Sequence, residues 1–138
     1  MHHAPLIPDE DFVCQLLRRR LERLMGIYCF GSRSQGTANR ESDLDLAVLT
    51  ETYVDPVKLW DVSGELASSL DLDVDLLDLR ASSTVMQFQV LTTGRRLWAR
   101  DIDTEYFELY VLNQKQDLDL LRKPLLDQIR EEGRIYGR

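Results

Sequence analysis

The stretch IYCFGSRSQGTANRESDLDLAVL, residues 27–49, decides how this chain is read. It begins as a short buried strand, Ile27–Phe30, turns at Gly31-Ser32, runs through ten further residues, and resumes a strand pattern at Asp43-Leu44-Asp45. A strand that ends in a tight Gly-Ser turn presents backbone N–H groups, which suit phosphate oxygens. Gly31 permits close approach of the backbone, and Ser32 adds a hydroxyl donor. Gly36 relieves the same turn, and Ser34 is placed to start a short helix whose positive end faces the phosphates. Arg33 and Arg40 lie within the turn, where either can reach a phosphate, although a solvated position suits Arg40 equally well.

The two aspartates are placed by strand geometry. Side chains alternate across a strand, so Asp43 and Asp45 share one face while Leu44, Leu46 and Val48 take the other. The apolar set is expected to face the core, which sends both carboxylates to a wetter side. Two carboxylates about 6–7 Å apart along a strand can converge on a divalent ion through oxygen ligands. The next acidic run, LDLDVDLLDL, offers Asp71, Asp73 and Asp75 on one face, with Leu72, Val74 and Leu76 on the other. Asp75 lies deepest in the apolar stretch and is the best third carboxylate; Asp71 and Asp73 read as solvated residues before the buried section. Three carboxylates about 5 Å apart repel by roughly 3 kcal/mol per pair at an effective dielectric near 20. Protonation or a bound cation is therefore expected, and magnesium carried in with a nucleoside triphosphate meets the need. Taken singly, Gly-Ser is a common turn and Asp-x-Asp a common strand end. Their conjunction with a third acidic strand points to function.

Outward from this stretch, helix and strand alternate. Pro8-Asp9 opens a helix expected to reach Met25, with Gly26 ending it. The second strand runs from Asp43 to about Leu49, and Asp55-Pro56 starts a helix towards Leu70. A third strand is expected from Leu70 to about Leu77. Ser82–Thr93 reads as a helix closed by Gly94, Arg95–Trp98 as a short edge strand, and the chain from Asp103 onward as helical, with a break near Pro124. Trp60 and Trp98 are expected first in the core, and Tyr106, Phe107 and Tyr110 as core or helix-packing residues ahead of a base-stacking pocket. The basic run Arg18, Arg19, Arg20 and Arg23 is expected as a solvated helix face first and a partner contact second. The fold class is α/β (α+β): a small mixed sheet of about four strands packed by helices, with a helical C-terminus. A single domain over residues 1–138 is expected, its core at 26–100 and its C-terminal helices at 103–135.

Composition narrows the function classes. The chain has 138 residues, 43% of them hydrophobic and 30% charged, with a net charge of −7. That acidity argues against a long nucleic-acid groove, which needs clustered positive charge, but leaves room for one nucleotide. No apolar run approaches the roughly 20 residues of a membrane span, and the N-terminus lacks a signal-peptide pattern. Cys14 and Cys29 have no metal-ligand spacing and read as reduced thiols of a cytoplasmic protein. His2 and His3 read as a frayed terminus.

The pattern G-S, ten residues, D-x-D, with a later acidic strand, resembles the DNA polymerase β-type nucleotidyltransferase superfamily. The likeness spans about Ile27 to Leu79, with Asp75 in VDLLDL at the third acidic position. The ending EEGRIYG, with Gly133, Tyr136 and Gly137, resembles one branch, the minimal nucleotidyltransferase antitoxins (MntA type) of HEPN/MNT toxin–antitoxin pairs. The resemblance implies that Asp43, Asp45 and Asp75 hold magnesium and that Gly31 and Ser32 hold the β- and γ-phosphates of ATP. It further implies that Asp75 helps deprotonate the acceptor, a tyrosine hydroxyl on a HEPN-domain ribonuclease toxin, which then receives AMP. Two other readings stay open: a small-molecule nucleotidyltransferase of the aminoglycoside-modifying kind, and an antitoxin that acts by contact alone.

Overall fold

The computed structural model describes residues 9–31 and 43–114. Its elements are α1 (Glu10–Arg20), β1 (Leu24–Phe30), β2 (Leu44–Thr50), α2 (Pro56–Leu70), β3 (Val74–Asp78), α3 (Thr84–Thr93) and β4 (Arg95–Ala99). A further helix, α4, occupies 102–114. The strands form one mixed sheet in the order β3-β2-β1-β4. β1 pairs antiparallel with both β2 and β4, whereas β2 and β3 are parallel and joined by α2 as a crossover. The sheet of four strands packed by helices agrees with the fold class expected from the sequence. Among the described residues, no helix is long and apolar enough to cross a membrane.

Helix ends follow local chemistry. Asp55 caps α2 by accepting from the Val57 N–H at 3.2 Å, and Pro56 fills the first turn, where no backbone donor is missed. Ser83 caps α3 by accepting from the Met86 N–H at 3.1 Å, and the Gly94 N–H returns to the Val90 carbonyl at 2.9 Å. Two expected boundaries are corrected. α1 ends at Arg20 rather than Met25, because Arg23 takes a left-handed conformation (φ 58°) and turns the chain directly into β1. Gly26 therefore lies inside β1. β3 begins at Val74 rather than Leu70, because α2 runs through Leu70 and Asp71 closes it with φ 55°.

The sheet is covered on both faces. On one, α1 and α2 bring Val13, Leu16, Leu17, Val62 and Leu66 against Ile27, Leu44, Leu46, Val48 and Leu76. On the other, Met25, Tyr28, Ala47 and Leu49 pack with Leu79 and Val90, and Phe107 of α4 closes over them. This double cover explains the nearly unbroken apolar run of β2, as expected for a strand buried on both sides. It also corrects one expectation, since the face carrying Asp45 is wet only at its start: Ala47 and Leu49 beyond it are fully buried.

α4 grips β1 at two points. The Thr104 hydroxyl donates to the Met25 carbonyl at 2.7 Å, and the Tyr28 phenol donates to Glu108 at 2.6 Å. Burial, then the bond to Glu108, pushes the Tyr28 phenol well above its ordinary pKa, so it stays a donor. A Cβ at Gly26 would sit 3.1 Å from Thr104 Cγ2, so the absence of a side chain is what lets α4 approach. Tyr106 and Tyr110, expected in the core, are instead 59% and 61% exposed, since the inward face of that helix is made by Thr104, Phe107, Glu108 and Val111. The basic run on α1 is partly engaged: Arg18 stacks over Trp98 and Arg20 pairs with Glu65. The expected break at Pro124 and the tail at Gly133, Tyr136 and Gly137 lie outside the described residues.

Leu46 is fully buried at the centre of the larger cluster. Leu46→Ala is expected to lower unfolding free energy by about 2–5 kcal/mol, read from urea denaturation, without changing the far-ultraviolet spectrum of the native state.

Candidate active site

The first strand delivers the chain into Gly31, which adopts φ +77°. That left-handed conformation strains any residue bearing a side chain. Its position is constrained from outside as well. A Cβ there would collide with the Asp45 carboxylate, lying 3.1 Å from its Cγ and closer still to Oδ2. The contact follows from register, since Phe30 and Asp45 are partners across β1 and β2. Gly31, where the expected phosphate turn begins, thus lies against the carboxylate expected to hold a metal. Ser32, Arg33, Ser34, Gly36 and Arg40 lie outside the described residues.

Asp45 has a second neighbour through the sheet. In the parallel pairing of β2 with β3, Asp45 stands opposite Asp75. Asp43 precedes β2 by one residue and is exposed; the Leu44 N–H donates to the Asp73 carbonyl at 2.9 Å and anchors the strand start. Burial raises the Asp45 pKa, and the charges of Asp75 and then Asp43 raise it further. The other two carboxylates chosen from sequence thus both act on Asp45. Asp78, three residues later and so on the opposite face of the strand, is spent elsewhere: it accepts from the Val54 N–H at 2.9 Å and the Arg80 N–H at 3.1 Å. Asp75 alone of these two has its carboxylate facing the site.

Asp43, Asp45 and Asp75 open into one cleft of about 520 Å³, together with Asp73, Val74 and the α2 residues Trp60, Ser63, Gly64 and Ala67. The Ser63 hydroxyl donates to the Val74 carbonyl at 2.9 Å and fixes α2 against β3. Among the described residues, no three His, Cys, Asp or Glu side chains stand as a ready-formed metal cluster. The chemistry of the donors nonetheless fits a hard divalent ion: all are carboxylate oxygens, two sit on neighbouring strands roughly 4.8 Å apart, and one is half-buried among like charges.

Sequence reasoning missed the α2 wall. Trp60 was expected in the core but is 78% exposed, while Val62 and Leu66 supply the buried face of the helix. A signal existed. Residues 60, 63, 64 and 67 recur at helical spacing, and three of the four are small, so that face has little apolar bulk to bury. Asp73, read as merely solvated, lines the same cleft.

A carboxyl whose folded pKa is raised binds more protons folded than unfolded, so its contribution to stability falls as pH rises through that pKa. Asp45→Asn removes the penalty. The variant should melt above the unmodified chain at pH 7 in chelator, with the gap closing as pH is lowered through the raised Asp45 pKa. Gly31→Ala should do the reverse, losing about 1–3 kcal/mol of stability by calorimetry, because both φ and the Asp45 contact oppose a side chain.

Comparison with known proteins follows the same residues. The family profile of the polymerase β nucleotidyltransferases matches residues 14–103. The protein adenylyltransferase MntA of Shewanella oneidensis is 42% identical over 121 residues, covering 88% of this chain and 87% of the relative. A solved toxin–antitoxin structure with AMP-PNP superposes with a TM-score of 0.78 at 41% identity, over 89% of this chain and 99% of the other. A second, of a tri-AMPylated Shewanella oneidensis HEPN toxin in complex with its MNT antitoxin, gives 0.71 at 38% identity, over 88% and 95%. With the family profile spanning the strands that carry Gly31, Asp45 and Asp75, this chain belongs to the polymerase β nucleotidyltransferase family.

Proposed function

We propose that this protein is a magnesium-dependent adenylyltransferase that moves AMP from ATP to a tyrosine hydroxyl of a partner HEPN ribonuclease toxin, and thereby acts as its antitoxin in the cytoplasm. The observation that carries the reading is the meeting of Asp43, Asp45 and Asp75 in one cleft beside the Gly31 turn. The acceptor class rests on the 42% identity to a protein adenylyltransferase and on the likeness to an antitoxin solved with an AMPylated HEPN toxin.

Each residue has a physical task. Gly31 and Ser32, helped by Arg33, Ser34 and Gly36, bind the β- and γ-phosphates through backbone and side-chain donors. Asp43, Asp45 and Asp75 would hold magnesium, which when bound neutralises the triphosphate and polarises the α-phosphate. Asp75 takes the proton of the attacking phenol. A bond forms between that oxygen and the α-phosphorus, the α–β bridge breaks, and pyrophosphate departs on the Gly31 side. The AMP left on the toxin adds bulk and negative charge where an RNA substrate would bind.

The test is Asp43→Ala combined with Asp45→Ala. Transfer of AMP to the toxin, followed by intact-mass spectrometry, should fall by about a thousandfold or more, since the phosphate charge loses its counter-ion. Protection of cells from the toxin should be lost while the two proteins still co-purify. If the double variant still protects, neutralisation works by contact and the catalytic reading is overturned.

A further inference from the structure

The sheet order sets a direction across the site. Gly31 ends β1, Asp45 sits on β2 and Asp75 on β3, so phosphate turn, central carboxylate and third carboxylate follow one another in line. Displacement at phosphorus places the attacking and leaving oxygens on opposite sides. With pyrophosphate leaving towards Gly31, the acceptor must enter from beyond Asp75. The wall on that side is α2, where Trp60 is 78% exposed although it lines the cleft. Among the described residues the neighbouring surface is open: a Cβ on Gly64 would meet no atom within 4 Å beyond its own helix. A large aromatic ring left in water beside three carboxylates is poorly explained by packing, because Val62 and Leu66 already serve the core from the same helix.

We infer that Trp60 is the acceptor-recognition residue, an aromatic platform that holds the phenol-bearing segment of the acceptor protein over Asp75. This rests on the proposed adenylyl transfer to tyrosine. The physical fit is specific to an aromatic, uncharged acceptor. Ring stacking on Trp60 is available to a phenol, and the small Ser63-Gly64 surface leaves room for its backbone. The exposed Asp73 on the rim favours an acceptor segment with a basic neighbour. Because the platform lies on the side away from the phosphate turn, it orients the hydroxyl without contributing to nucleotide affinity.

Trp60→Ala and Trp60→Phe in the full chain test this, with the HEPN toxin as acceptor and ATP as donor. In the alanine variant KM for the toxin should rise by about tenfold or more, while KM for ATP and the rate at saturating toxin stay within about twofold. The phenylalanine variant should recover most of the loss. Melting temperature should hardly move, since the ring is mostly in water. A rise in KM for ATP with the toxin KM unchanged would place the nucleobase on Trp60 and overturn the inference, as would no change in either constant. Absence of AMP transfer by the unmodified chain would count against the proposed reaction itself and not against the direction of entry.

Discussion

The pairing of Asp45 with Asp75 across two parallel strands is an arrangement that a protein core resists. Like charges on adjacent strands destabilise a sheet, and burial of Asp45 adds to the cost. The surrounding structure holds it in place by fixing both strands elsewhere. β2 is buried on both faces from Leu46 onward, and β3 is tied to α2 by the Ser63 hydroxyl and to β2 through Leu76. Asp45 and Asp75 each lie second in their strand, while Asp78 at the far end of β3 is satisfied by the Val54 and Arg80 N–H groups. The unfavourable contact is thus confined to the rim, where a cation from solution can relieve it.

Because that contact is set by register, it is inherited from the crossover. α2 enters at Asp55-Pro56 and leaves at a left-handed Asp71, and those two ends determine which residue of β3 faces Asp45. A one-residue slip would set Leu76 or Val74 opposite Asp45 and turn Asp75 towards the buried face. The antiparallel pairing on the other side is equally decisive, since it brings Gly31 against the same carboxylate. One side chain, Asp45, is therefore shared between both halves of the site.

Much of this was legible because local chemistry and global fold agree. Asp55-Pro56 and Gly94 mark helix ends by chemistry that works on its own, and Leu44, Leu46 and Val48 mark a strand by alternation. Asp75 could be chosen over its neighbours because it lay within the apolar stretch. The failures share a cause. Arg23 and Asp71 adopt left-handed backbone that composition does not announce, so α1 was read too long and β3 too early. Gly26 was taken as a helix stop when its use is to admit Thr104. Exposure of Trp60, Tyr106 and Tyr110 depends on which helix faces find a partner, and periodicity alone does not reveal that.

The two outer strands of the sheet also bear on how the protein behaves in a crowded solution. An open strand edge invites pairing with a strand from another molecule unless charge or covering prevents it. On β4, Arg95 and Arg96 are held by Glu10 and Glu108, which keeps paired charges along that border. On β3, the Ser63 hydroxyl occupies the Val74 carbonyl, and Asp73 and Asp75 bring negative charge to the other border. The acidic residues that suit the chain to chemistry therefore also discourage strand addition. Neutralising them to calm the site would weaken one of the guards against aggregation.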